Sequence, residues 1–362
     1  MATTDAGIGD LDAIVARLPQ ADRDLFGRIY DVAVVEGTLC PPEQMKPWIE
    51  AHFGSVESVL RQRIVRVTNR VTLEESVFNP LRASRPMSGG GTSGGRVAEA
   101  LEGDDPFHDP LATTPEDTFG RVRGRYCVSA SNVAKCEGFH GLLVFQEPAP
   151  LEFTRDHVVD YVETAWRWAL EAHSRDTAAR YFLFLWNCGA RAGASQSHGH
   201  AQMLLGRHRH YAKVESLLSA ASRYRDLYGV SYFEDLYKVH EAIGCGFDNA
   251  GVRVLASLTP VKEREMVIMS PDVGRPLAET AYEALACFRD RMGVESFNVA
   301  LFTRPLGDEA EDWTTYPTVA RIVDRGPLAT VTCDIGGMEL YGASVISSDP
   351  FEVAELVGEA TA

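Results

Sequence analysis

Residues 195–202 read Ser195-Gln196-Ser197-His198-Gly199-His200-Ala201-Gln202, followed by the apolar Met203-Leu204-Leu205 and preceded by a strand-like Tyr181-Phe182-Leu183-Phe184-Leu185-Trp186. Side chains two apart on a strand share a face. An extended His-x-His-x-Gln therefore presents His198, His200 and Gln202 to one side and Gly199, Ala201 and Met203 to the other. That division lets a sheet carry polar chemistry on one face while it buries its back. An imidazole flanked by two further hydrogen-bonding groups suits attack on phosphorus, so function is sought on this strand.

Working outward, strands and helices alternate from Arg125 onward. Tyr126–Ser131 and Gly141–Phe145 read as strands. Val158–His173 reads as an amphipathic helix, with Val158, Val162, Trp166 and Leu170 spaced in fours. The Tyr181–Trp186 strand and the histidine strand follow. The same order then recurs more weakly: strands at Val252–Leu258 and Met266–Met269, a helix at Ala281–Met292, and strands at Phe297–Phe302 and Val319–Val323. Similar separations predict two related halves in one mixed sheet, an α+β arrangement. The second copy carries Tyr316-Pro317-Thr318 where the first has its histidines. One half is then expected to hold the chemistry and the other to complete the fold.

Upstream, Leu11, Ile14, Val15 and Leu18 form one apolar stripe, and Trp48, Ile49, Phe53, Val56 and Leu60 another. Residues 1–74 are accordingly read as a helical N-terminal extension, 75–215 as the first half and 216–362 as the second. The glycine-rich segment 88–95 is a connector by composition, with an active-site lid as the alternative. Acidic Glu102-Gly103-Asp104-Asp105 extends that irregular region. Near the end, Asp349-Pro350-Phe351-Glu352 supplies a helix N-cap, a proline at the first position and a glutamate at the third.

Composition narrows the classes. Of 362 residues 45% are hydrophobic and 24% charged, ordinary for a globular chain. The formal charge of -16 argues against nucleic acid and against an anionic membrane surface, both of which reward a basic stripe. There is no apolar run of spanning length and no signal-peptide pattern at the N-terminus. The seven cysteines (40, 127, 136, 188, 245, 287 and 333) are scattered without a C-x-x-C. Reduced thiols and a cytoplasmic location are the expectation. His140 reads as structural, and His208 and His210 as part of a solvated basic loop.

The segment Asn187-Cys188-Gly189-Ala190-Arg191-Ala192-Gly193-Ala194-Ser195-Gln196-Ser197-His198-Gly199-His200-Ala201-Gln202 resembles the catalytic segment of galactose-1-phosphate uridylyltransferases, the transferase branch of the histidine-triad superfamily. Asn187, Gly189, Gly193, Ser195, His198, His200 and Gln202 all fall in register with that family's Asn-x-Gly, Gly-x-Ser and His-Pro-His-x-Gln elements. Phe78-Asn79-Pro80-Leu81-Arg82-Ala83-Ser84-Arg85-Pro86 looks like a compressed form of its Asn-Pro-Leu and Arg-x-x-Arg-Pro elements, and Asn132 resembles its nucleotide-binding asparagine. The likeness covers roughly residues 75 to 360.

The resemblance implies two histidine-triad-like halves forming a mixed, mainly antiparallel sheet flanked by helices. It implies His200 as nucleophile, with its other ring nitrogen held by a backbone acceptor, and a covalent nucleotidyl-histidine intermediate. Gln202, Ser195 and amides near Gly193 would hold phosphoryl oxygens, Arg82 and Arg85 a departing phosphate, and Asn132 and Asn187 ribose or phosphate oxygens. Hydrolytic relatives carry a histidine at the third motif position. Gln202 does not titrate, which favours a phosphate acceptor over activated water.

Departures from the pattern matter equally. The family's zinc-binding members use a C-x-x-C, a histidine after the Leu-Val-Phe strand and the first motif histidine. Here the C-x-x-C is missing and Phe145 is followed by Gln146-Glu147-Pro148-Ala149. Zinc through His198 would lack three of four ligands, which leaves His198 an orienting role. No cofactor is firmly implied, and Mg2+ stays open. Gly199 replaces the proline between the histidines and reads as more flexible.

The leading expectation is a nucleotidyltransferase passing a nucleoside monophosphate from a nucleotide sugar to a sugar 1-phosphate. The alternative is a phosphorylase of a dinucleoside polyphosphate or nucleotide sugar that uses inorganic phosphate. A third reading is a catalytically silent nucleotide-binding protein. A homodimer is compatible with each.

Overall fold

The structure is a computed structural model that describes residues 7–84, 105–307, 312–330 and 332–361. The glycine-rich segment 88–95 lies outside the described residues. The chain opens with helices α1 (Leu11–Arg17) and α2 (Gln20–Ile29), then strand β1 (Tyr30–Thr38), α3 (Lys46–Phe53), α4 (Val56–Leu60), β2 (Arg61–Asn69) and β3 (Glu75–Phe78). The expected helical stripes are present, with Leu11, Ile49 and Val56 buried. Reading residues 1–74 as wholly helical needs correction, however. β1 and β2 pair antiparallel along their full length, from Tyr30–Asn69 to Thr38–Arg61. Val65 and Val67 alternate with Arg66 and Thr68, and Val32 and Val34 alternate in burial with the exposed Asp31, Ala33 and Val35, a period-two pattern set between the helical stripes.

The first half follows: α5 (Pro110–Thr113), β4 (Cys127–Ser131), β5 (Phe139–Phe145), α6 (Arg155–Arg175), β6 (Ala179–Cys188) and β7 (His200–Arg207). Two helices, α7 (Ala212–Tyr228) and α8 (Tyr232–Ile243), lead to the second half, and the boundary expected at 215 falls inside α7. The second half holds β8 (Gly246–Asn249), β9 (Val252–Ala256), β10 (Met266–Ser270), α9 (Arg275–Asp290), β11 (Phe297–Phe302) and β12 (Thr318–Asp324). The chain ends with α10 (Gly337–Tyr341), β13 (Ser344–Ile346) and α11 (Pro350–Thr361). β13 pairs parallel with β3 and completes a small sheet of order β1-β2-β3-β13. Asp349 caps α11 through Phe351 N at 2.9 Å and also accepts from Ile8 N at 2.8 Å, which ties the two ends of the chain.

The main sheet has nine strands in the order β4-β5-β7-β6-β11-β12-β10-β9-β8, each pair antiparallel. Without β8 the order is a palindrome: β4-β5-β7-β6 against β9-β10-β12-β11. Its centre is the β6–β11 seam, where Leu185 pairs with Ala300. Register carries the equivalence to single residues. Gln202 sits between Leu142 and Leu185, and Arg321 between Val267 and Ala300. The β4–β5 hairpin closes with Asn132 N to His140 O at 2.9 Å, and the β9–β10 hairpin with Ser257 N to Glu265 O at 2.9 Å. Arg321 therefore answers to Gln202, Val319 to His200 and Glu265 to His140.

One face of this sheet is buried beneath α6 and α9. Phe182, Phe184 and Trp186 of β6 pack there with Trp168 of α6 and Phe288 of α9. Each such side chain removed from water contributes about 1.5–3 kcal/mol before entropy is counted. The opposite face differs between halves. Over the second half it is covered by α7, α8 and the small sheet, with Phe233 and Leu236 against Met269, Phe302 and Val319. Over the first half, among the described residues, it carries the small cluster of Phe107, Ala130 and Val144, beside the histidines. Among the described residues no helix is long and apolar enough to cross a membrane.

Candidate active site

β7 begins at His200, and the two residues before it decide how the histidines are held. Gly199 N donates to Pro148 O at 2.9 Å, and Phe145 N donates to Gly199 O at 3.0 Å. A Cβ at Gly199 would lie 2.9 Å from both Glu147 O and a Phe145 ring carbon. Glycine is required here for close approach, not for flexibility as the sequence suggested.

His200 is 7% exposed, and its Nδ1 lies 2.8 Å from the carbonyl oxygen of His198. That oxygen can only accept, so Nδ1 carries the hydrogen and Nε2 keeps its lone pair. Burial pushes the imidazole's pKa down, and this outweighs the opposing pull of the His198 carbonyl. A neutral ring with a fixed tautomer is what a nucleophilic histidine needs. Phe107 stands over it, ring centroids 5.1 Å apart, and meets His198 edge-on at 5.9 Å.

His198 is clamped at both nitrogens: Nδ1 lies 2.7 Å from Asp105 Oδ2, and Nε2 lies 2.9 Å from Phe145 O. Both partners are acceptors, and together they fix the orientation of the ring. Burial raises the Asp105 carboxyl's pKa. The hydrogen bonds from His198 and the Phe107 amide more than offset it and leave the pKa below the usual range. Asp105 and Phe107 join the candidate site without having been singled out from the sequence; Asp105 was visible only as the last of an acidic run.

Gln202 Oε1 lies 3.0 Å from His140 Nε2, and Cys136 N donates to His140 Nδ1 at 3.2 Å. His140 thus donates to Gln202 and sets the amide's orientation, a contact that reading it as structural did not include. Asn132 stands beside the pair, its Oδ1 accepting from Ala134 N at 3.0 Å.

Asn187 stands two residues beyond Leu185, the partner of Gln202, and is therefore level with His200 on the same face. Its Oδ1 accepts from Asn298 Nδ2 at 2.7 Å. Asn298 also donates to Ala192 O at 2.8 Å and accepts from Arg325 Nη1 at 2.6 Å. Arg325 is held by Asp334 through two bonds of 2.8 and 2.9 Å. Gly193 has φ +91° at the end of the turn Ala190–Ala192, and Ser195 is exposed in the loop that follows. Arg191 of that turn donates to Arg325 O at 3.0 Å and to the carbonyls of Thr330 and Thr332 at 2.6 Å. The second half, silent in its own strand, thus braces the loop of the first.

A crystal structure of an ADP-glucose phosphorylase from Arabidopsis thaliana with bound ADP-glucose superposes with a TM-score of 0.61 at 18% identity, over 80% of this chain and 96% of that one. A galT-like protein from the same plant gives 0.57 at 18% identity, over 70% and 91%. A uridylyltransferase gives 0.57 at 17% identity, over 72% and 90%. The fold is that of these phosphorylase and uridylyltransferase structures. No protein-family model and no curated protein matches the sequence.

The zinc set of the histidine-triad pattern is not met by the residues present. Zinc at His198 does not fit, because Asp105 and the Phe145 carbonyl already engage both ring nitrogens. Among the described residues no three His, Cys, Asp or Glu side chains are grouped to hold a metal. Arg82 is exposed in the turn Pro80–Ser84, after a strand of the small sheet, and no hydrogen bond of its side chain reaches the histidines. Arg85 lies outside the described residues. Nor is His210 in a solvated loop: it is buried, with its pKa pushed down to about 4 by burial, against Thr303 O at 3.3 Å.

Proposed function

We propose that the chain is a nucleotidyltransferase working through His200. In the first step the Nε2 lone pair attacks the α-phosphorus of a nucleotide sugar. An N–P bond forms, the P–O bond to the sugar phosphate breaks, and the sugar 1-phosphate leaves with that electron pair. In the second step a phosphate oxygen of the acceptor attacks the same phosphorus and the N–P bond breaks, restoring the imidazole. Because phosphate groups both leave and attack, no proton has to reach a poor leaving group. A non-titrating Gln202 is compatible with that chemistry. Its Oε1 is taken by His140, so Gln202 offers its amide hydrogens to a non-bridging oxygen as charge develops there.

The observation that carries this reading is the 2.8 Å contact between His200 Nδ1 and His198 O, which fixes the tautomer with Nε2 available. The second reading draws on the likeness to an ADP-glucose phosphorylase: inorganic phosphate takes the acceptor's place and the same intermediate is discharged by it.

The test uses the full chain with UDP-glucose and ADP-glucose labelled at the α-phosphorus, with and without Mg2+. Acid-labile, alkali-stable label is expected on the protein and is expected to be lost in His200→Ala. Label that persists in His200→Ala overturns both readings. Discharge by glucose 1-phosphate supports transfer, and discharge by inorganic phosphate alone supports phosphorolysis.

A further inference from the structure

The sheet face that bears the histidines does not stop at the seam between the halves. Gln202 of β7, Leu185 of β6 and Ala300 of β11 stand in one cross-strand row. Asn187 and Asn298 pair beside it, level with His200, and bond each other at 2.7 Å. β11 lies two strand spacings from β7, about 10 Å.

Beyond that row the second half encloses a cavity of about 480 Å³, within the range of about 300–1,000 Å³ typical of small-molecule sites. Asn298 and Ala300 are part of its wall, and residues of α7, α8 and the small sheet cover it. Deep in the second half Leu255, Met269 and Val319 are buried. Asn298 and Ala300 are half-buried, as are Leu183, Leu185 and Asn187 on β6. Leu183 and Ala300 pack against the same apolar cluster as Met269 and Val319. A path of half-buried residues thus runs from the chamber to the strand of His200.

The polar groups of the chamber largely bond one another. Arg321 donates to Glu265 at 2.7 and 3.0 Å and to Glu74 at 2.9 Å, and Asn69 Nδ2 donates to Tyr232 Oη at 2.8 Å. Lys213 also lines the cavity, and with Arg321 it balances the two carboxylates. It stands exposed in the first turn of α7, which follows the end of β7 remote from His200. There its ammonium keeps its water. A hexose seated in the chamber would exchange hydration for walls such as Leu217, Leu255 and Val267 and leave hydroxyls without partners. A hydrocarbon or aromatic group gains by the same exchange.

We propose that the phosphate acceptor of the second step is an aryl or alkyl phosphate whose apolar group lies in this chamber, an assignment that rests on His200 as nucleophile. A phosphate oxygen of the acceptor attacks the α-phosphorus, and the N–P bond breaks with its electron pair returning to Nε2. A nucleoside diphosphate ester of the apolar alcohol leaves, and nothing is oxidised or reduced.

Two measurements on the full chain test it, each comparing 2-naphthyl phosphate with glucose 1-phosphate. In titration calorimetry the naphthyl ester is expected to bind at least about tenfold tighter. With enzyme labelled at His200 it is expected to discharge the label with a kcat/KM at least about tenfold higher. Leu217→Trp, which fills the chamber from α7, is expected to remove both preferences. Should that variant not fold, Ala300→Leu, a smaller change in the sheet wall, is expected to reduce both at least about threefold. A preference that survives the substitutions overturns the proposal. Label on His200 with equal affinities for the two esters overturns the chamber's role alone. Absence of label overturns the reading of His200 and the acceptor role with it.

Discussion

Residues 198–202 and 317–321 occupy equivalent places in the two halves, yet one reads His-Gly-His-Ala-Gln and the other Pro-Thr-Val-Ala-Arg. The strands match in partners, direction and depth, so backbone geometry is not what separates a site from a support. The difference lies in what stands behind each side chain. His200 is backed by the His198 carbonyl, His198 by Asp105, and Gln202 by His140. Arg321, in the place of Gln202, is backed by Glu265 and held in an ion pair. One position holds a group poised to act, the other a group already satisfied. A fold offers positions, and the chemistry of a position depends on its supports.

Converting the first half toward the second should produce the largest effect. His200→Val, which installs the residue found at Val319, is expected to lower nucleotidyl transfer by about 10⁴-fold or more with the circular dichroism spectrum unchanged. Steady-state rates on a nucleotide sugar check it, and retained turnover would break the comparison. The reciprocal support is structural. Glu265→Ala leaves Arg321 in a largely buried place with Glu74 alone, and is expected to cost about 3–5 kcal/mol in urea unfolding. The double change Glu265→Leu with Arg321→Met should recover most of that loss.

Acid should strain the two deeply buried histidines. His210 and His240 have folded pKa values of about 4 against 6.5 when unfolded, so below pH 6.5 the unfolded chain takes up protons that the folded chain refuses. Stability is therefore complete above pH 6.5 and falls as pH drops toward 4, by roughly 3 kcal/mol for each ring. Urea titrations across that window should show the slope reduced in His240→Phe. An unchanged slope would mean that this ring does not resist protonation.

Asp105→Asn tests the clamp on His198. Transfer is expected to fall about 10- to 100-fold, carried by kcat and not KM, with an altered pH profile and little change in melting temperature. Asn298→Ala asks whether the second half helps the first. Losing the bond to Asn187 should weaken activity roughly fivefold, the worth of about one hydrogen bond. No change would reduce the second half to a scaffold.

Much of the architecture was legible because its signals are local. The apolar, aromatic-rich run Tyr181–Trp186, the four-residue spacing along 158–170 and the repeated strand–strand–helix–strand order all appear within short windows, and the two-half sheet follows from them. The strands β1 and β2 were also written in the sequence, as Val32, Val34, Val65 and Val67, but helical stripes on either side overrode a weaker pattern. At the site, His198, His200 and Gln202 were legible for the same reason of spacing. Asp105 was not, since it meets His198 across 93 residues of chain, and Asn298 meets Asn187 across 111.

By itself the sequence determined that an extended segment presents His200 and Gln202 to one side, because the strand repeat is a property of the backbone alone; His198 stands in the bend just before that strand. It also determined that a weaker copy of the same elements follows. Only the tertiary structure decided which acceptor fixes the tautomer of His200, what holds His198 without a metal, and that the second half closes over an apolar chamber. Those outcomes depend on contacts between segments far apart in the chain. Hydrogen-bond geometry and burial at such contacts are set when the sheet assembles, and no local pattern encodes them.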